Sequence, residues 1–120
     1  MTVQAPMIVL KRVYLPPLAE DGFRVLVERL WPRGVSTEKA AIHQWLKELA
    51  PSPGLRVWFD HNIAKWDGFQ QRYREELATH EHLLNGLRQR AESDTVTLVY
   101  AAADERHSSA LVLKAVLDEI

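Results

Sequence analysis

The run Thr95-Val96-Thr97-Leu98-Val99-Tyr100-Ala101-Ala102 decides the fold. It is largely apolar and carries no charge, the pattern of a strand covered on both faces, which belongs at the centre of a parallel sheet. Two further strands precede it. Met7 to Tyr14 is rich in Ile, Val and Leu and stops at Pro16-Pro17, which cannot continue a ladder. After the acidic turn Glu20-Asp21-Gly22, Phe23, Val25 and Val27 share one face, while Arg24, Leu26 and Glu28 mix on the other. That alternation predicts a second strand buried mainly on one side.

Helical patterns fill the interval between the second strand and the run at Thr95. Ser36 is a helix cap, and Ile42, Trp45, Leu46 and Leu49 recur at helical spacing until Pro51 and Pro53, which predicts one helix from Thr37 onward. Leu55, Trp58 and Phe59 suit a short helical turn, broken at Asp60-His61-Asn62, where Asp60 or Asn62 caps the next helix. Trp66, Phe69, Tyr73 and Leu77 line one face of that helix. Leu83, Leu84, Leu87 and Ala91 mark another, and a last helix runs from Ser108 to about Glu119. The order β-β-α-α-α-β-α predicts an α/β fold: a small, mostly parallel sheet of about three to four strands with helices packed on it.

A chain of 120 residues fits a single domain spanning positions 1–120. Its 47% hydrophobic and 26% charged residues are ordinary for a globular protein. A formal net charge of -1 lacks the basic footprint of a general nucleic-acid binder. The absence of cysteine excludes disulfides and thiolate chemistry, and fits a cytoplasmic location. The apolar run Met7 to Leu10 is too short for a signal core or a membrane span.

Two loops hold the candidate chemistry. Arg29-Leu30-Trp31-Pro32-Arg33-Gly34 follows the second strand and sets two guanidinium forks and an indole around a turn. Arg29 and Arg33 suit a carboxylate or phosphate, with Trp31 as a wall and Gly34 for close backbone approach. The alternative is that both arginines fasten the turn by pairing with carboxylates such as Asp60 or Glu48. Arg106, His107, Ser108 and Ser109 lie between the last strand and the last helix, where free N–H groups and the helix dipole favour an anion. There the alternative makes Ser108 a simple cap. An anion bridging both loops would make Arg33→Ala lose its ligand without unfolding.

Other candidates lie mostly outside these two loops. His61, beside Asp60, and His107 are the acid/base candidates if the protein is an enzyme. Trp66 and Tyr73 are core residues whose polar tips could reach a pocket rim. His80 and His82 point to different faces of a helix, so no metal site is expected.

Several blocks together carry a family resemblance: RVLVERLWPRGVS (24–36), HQWLKELAPS (43–52), Trp58 to Trp66, FQQRYREEL (69–77) and VTLVYAAADERHSSA (96–110). These resemble the bacterial YeaO-like proteins, a family of unknown function. The resemblance implies a small cytoplasmic α/β domain and supplies no reaction. Relatives tend to carry His-Asn-His-Ala where this chain reads His107-Ser108-Ser109-Ala110, and longer relatives carry cysteines absent here.

The sequence thus predicts a protein that binds an anionic small molecule, with no cofactor and no membrane partner. A metal-independent hydrolase or transferase is compatible with the same residues. A nucleic-acid accessory protein using the arginines on phosphates is disfavoured by the near-neutral charge. A protein-interaction module, with Trp31 at a homo-oligomer interface, is the third reading.

Overall fold

A computed structural model describes residues 7–119. Its strands are β1 (Ile8–Arg12), β2 (Phe23–Leu26), β3 (Gln44–Trp45) and β4 (Val96–Tyr100), in the order β1-β4-β2-β3. Every pairing is parallel. Val25 faces Leu98 across β2 and β4, and Leu10 faces the same Leu98 from β1. The uncharged run at Thr95 is therefore the interior strand that its composition predicts, and all of β4 is buried. The α-helices are α1 (Thr37–Ala40), α2 (Pro53–Phe59), α3 (Trp66–Ala78), α4 (Glu81–Arg90) and α5 (Ser109–Asp118).

The larger core lies on one face of the sheet. Val25, Val27, Val96 and Leu98 meet Phe69, Tyr73 and Leu77 of α3, Leu84 and Leu87 of α4, and Val112 and Leu113 of α5. Apolar positions three and four apart on α3 give it the stripe that this packing needs. Polar tips are satisfied inside: the Tyr73 hydroxyl donates to the Leu49 carbonyl.

The opposite face corrects two expectations. The helix predicted from Thr37 through Leu49 ends at Ala40, because Ala41 turns left-handed (φ 49°) and its N–H closes on Thr37. The chain then lies down as β3, pairing Gln44 with Val25 and Trp45 with Leu26. Leu46 and Leu49 go to the large core, whereas Ile42 and Trp45 pack on a second cluster of Val13, Leu26, Ala40 and Val99. That cluster covers the face of β2 expected to be open, so β2 is buried on both sides. Arg24, only 2% exposed, bonds to the Asp21 carboxylate (2.7 Å) and the Ala40 carbonyl (2.7 Å).

Gly22 fixes the start of β2. Its φ is +61°, and a Cβ there would lie 2.3 Å from the Thr95 carbonyl oxygen, the same oxygen that accepts the Phe23 N–H at 2.8 Å. Only glycine allows β2 to come this close to β4.

Candidate functional site

In a parallel sheet, side chains that follow the carboxyl ends of the strands face a common crevice. Here that crevice is a cavity of about 440 Å³ beyond β2 and β4. Glu28 and the Ala101-to-Asp104 loop form its floor, and Arg56 and Phe59 of α2 with His61 form one wall. His107, Ser108 and Ser109 close the side nearest α5. Its size is ordinary for a small-molecule pocket.

Ser108 is the residue whose chemistry is least accounted for by folding. It is 3% exposed and has the extended backbone of an N-cap, yet its side chain makes no capping bond. Its Oγ is buried with no hydrogen-bond partner among the described residues. Within α5 the first N–H to find a carbonyl is that of Leu111, on Ser108 (3.1 Å). The N–H groups of Ser109 and Ala110 have no bond among the described residues. Free N–H groups at a helix start carry partial positive charge, so an unpaired hydroxyl beside them is suited to an oxyanion.

The loop before α5 is held by Asp104. One carboxylate oxygen accepts the N–H of Arg106 (2.9 Å) and of His107 (3.1 Å), and the other meets His107 Nδ1 (3.0 Å). The hydrogen bond to His107 is the main reason the Asp104 carboxyl is held below its ordinary value. The His107 ring stands edge-on to Trp66, 5.3 Å between centroids, and Trp66 stacks on Phe69. Trp66 thus positions His107 from behind. The Arg106 side chain points to solvent and does not line the cavity.

Glu28 was not singled out by its sequence context. It is half-buried, and one of its oxygens accepts the Ala101 N–H at 3.2 Å. Burial pushes its carboxyl above the ordinary value, against the opposing pull of that N–H and of Arg56. Its backbone is pinned by Trp45, whose Nε1 donates to the Glu28 carbonyl at 2.6 Å. Its place just beyond the carboxyl end of β2, where a parallel sheet opens its crevice, is the signal that could have found it.

The Arg29-to-Gly34 loop does not line this cavity, although Arg29 bonds two residues that do, Ala50 and Pro51. Arg29 donates to the carbonyls of Ala50 (3.0 Å) and Pro51 (3.2 Å), so it fastens the start of α2 through backbone oxygens and not through Asp60 or Glu48. Trp31 donates to the Val35 carbonyl and packs edge-on against Trp45. Arg33 and Gly34 are exposed, and none of Arg29, Trp31, Arg33 and Gly34 lines the cavity. Asp60 is the exposed, left-handed C-cap of α2 (φ 45°), and no hydrogen bond joins it to His61. Tyr73 is 1% exposed and belongs to the core.

Comparison with known proteins finds sequence relatives over nearly the whole chain. The family model described as "Inactive DUF488-N3 subclade" matches residues 7–120. Escherichia coli YeaO, an uncharacterised protein, is 41% identical over 103 residues, covering 86% of this chain and 90% of its own length. The chain belongs to this YeaO-like family. The uncharacterised Rv3073c of Mycobacterium tuberculosis is 38% identical over 107 residues, 89% of this chain and 90% of its own. The uncharacterised Mb3100c of Mycobacterium bovis matches to the same extent. No solved structure matches. Among the described residues of this YeaO-like chain, no helix is long and apolar enough to cross a membrane.

Proposed function

We propose that this YeaO-like protein is a binding protein for a small anionic molecule, taken into the cavity beyond β2 and β4, and that it does no chemistry on that molecule. The observation that carries this reading is the buried Ser108 hydroxyl, unpartnered at the start of α5 beside the free N–H groups of Ser109 and Ala110. An unsatisfied buried hydroxyl costs about 1–3 kcal/mol, and a site that binds a ligand recovers that cost when the ligand arrives. The family description supports binding over catalysis, since it names the subclade inactive. His107, whose Nδ1 is engaged by Asp104 and whose ring is braced by Trp66, is held in one orientation at the side of the cavity, where it can meet a ligand.

The test is thermal stabilisation by inorganic phosphate, nucleoside monophosphates and small carboxylates. A ligand at a hundred times its Kd adds about 2.7 kcal/mol to apparent stability. We expect a shift in wild type, affinity weakened roughly 10- to 100-fold in Ser108→Ala for the lost charge-assisted hydrogen bond, and wild-type behaviour in Arg33→Ala. No shift with any of these anions overturns the reading, and loss of the shift in Arg33→Ala returns the site to the Arg29-to-Gly34 loop.

A further inference from the structure

We infer that the ligand of this cavity is an ampholyte: it presents its anionic group to Ser108 and the start of α5, and an ammonium or comparable N–H donor to Glu28. This rests on the anion-binding reading above and adds the second half of the ligand. Two acidic side chains line the cavity, Glu28 and Asp104. Asp104 is fully engaged, since both its oxygens accept from its own loop. Glu28 is not: one oxygen accepts the Ala101 N–H, and the other has no donor among the described residues. Nor does an ion pair join Glu28 to Arg56, the cation on the facing wall.

The cavity therefore offers an unmet donor from α5 and an unmet acceptor from the end of β2. A purely anionic ligand would satisfy the first and leave the second unmet, its charge lying in a cavity that holds the Glu28 carboxyl as well as Arg56. A ligand with a cationic or N–H group at its other end satisfies both. Glu28 is well placed to hold such a group, because Trp45 and Ala101 anchor its backbone and one of its oxygens, leaving little side-chain freedom to lose on binding.

The test is calorimetric titration at neutral pH with aminoethyl, aminobutyl and aminohexyl phosphate, each against the alkyl phosphate of matching length. In wild type, at least one aminoalkyl phosphate should bind about tenfold or more tightly than its matched partner, the order expected of one charge-assisted hydrogen bond. Glu28→Gln, which keeps an acceptor for the Ala101 N–H, should bring that ratio close to one and strengthen binding of the plain alkyl phosphates. Equal binding of both series to wild type, with weakening in Ser108→Ala, overturns the ampholyte and leaves the anion site standing. Binding by neither series overturns both.

Discussion

Ser52 and Ser108 both stand at helix starts with an extended backbone, and replacing each by alanine should move stability in opposite directions. Ser52 has φ -61° and ψ 154°, and its hydroxyl accepts the Leu55 N–H at 3.1 Å while donating to Glu76. Ser108 has φ -101° and ψ 148°, and its hydroxyl has neither bond. Losing a working N-cap costs about 1–2 kcal/mol. Losing a buried hydroxyl that has no partner removes a desolvation cost of about 1–3 kcal/mol, against a small loss of packing for one oxygen atom. A chain of 120 residues has an unfolding entropy near 0.25 kcal/mol/K, so about 1 kcal/mol corresponds to roughly 4 °C in Tm. Without ligand, Ser52→Ala should melt about 4–8 °C lower than wild type, and Ser108→Ala higher by up to about 12 °C less the small packing loss. Calorimetry and urea titration of the three proteins measure this directly. A fall of several degrees in Ser108→Ala would show that the hydroxyl is a structural cap and that no ligand need be invoked at α5. A stabilised variant that binds anions less well would show a residue kept for function at the expense of folding.

Three further outcomes follow from the buried charges and the sheet. The folded-state pKa of Glu28 is raised by burial, so the folded state holds that proton more tightly. Its stabilising contribution is full below the unfolded pKa and is lost as pH rises through the folded one, so Glu28→Gln should gain stability relative to wild type as pH increases from acid to neutral. Urea midpoints across that range check the sign. Asp21 is the opposite case: burial raises its pKa, but the Leu18 N–H and the Lys11 and Arg24 cations outweigh it and hold the carboxyl down. Its contribution is present above the unfolded pKa and lost as pH falls through the folded one. Asp21→Asn, which leaves Arg24 without its counter-ion, should cost about 3–5 kcal/mol at neutral pH in a denaturant titration. Gly22→Ala should cost more than about 3 kcal/mol, because the added Cβ meets the Thr95 carbonyl and the backbone is left-handed; a loss below 1 kcal/mol would refute that reading of the β2–β4 approach.

What was legible in the sequence is what depends on local composition. The uncharged run at Thr95 announces an interior parallel strand because no other placement buries all its side chains, and the stripe from Trp66 to Leu77 announces α3 because its spacing matches one helix face. Ser36 was readable as a cap from its position alone, and its hydroxyl accepts the Lys39 N–H. The misread segment, Thr37 to Leu49, shows where such reasoning stops. Ile42, Trp45, Leu46 and Leu49 fit one helical face, yet they serve two cores on opposite sides of the sheet. The deciding influence is the edge of β2, which offers unpaired groups to any segment that arrives extended: the Leu46 N–H takes the Leu26 carbonyl and the His43 N–H that of Arg24. Those bonds outweigh a helical preference carried by only a few residues.

The same limit governs the site. That Ser108, Ser109 and His107 sit together at one side of a cavity follows from a local pattern, a polar loop between a strand and a helix. Arg29 and Arg33 carried the stronger motif, two guanidinium forks around a turn, but a fork's partner is set by what the fold brings to it. For Arg29 those partners are the carbonyls of Ala50 and Pro51, which follow directly from the unforeseen path of the chain through β3. Glu28 escaped notice for the same reason, since an alternating strand predicts its side chain in solvent. In the folded chain its carboxylate instead accepts the Ala101 N–H, and an acidic residue that looked like surface becomes part of the cavity floor.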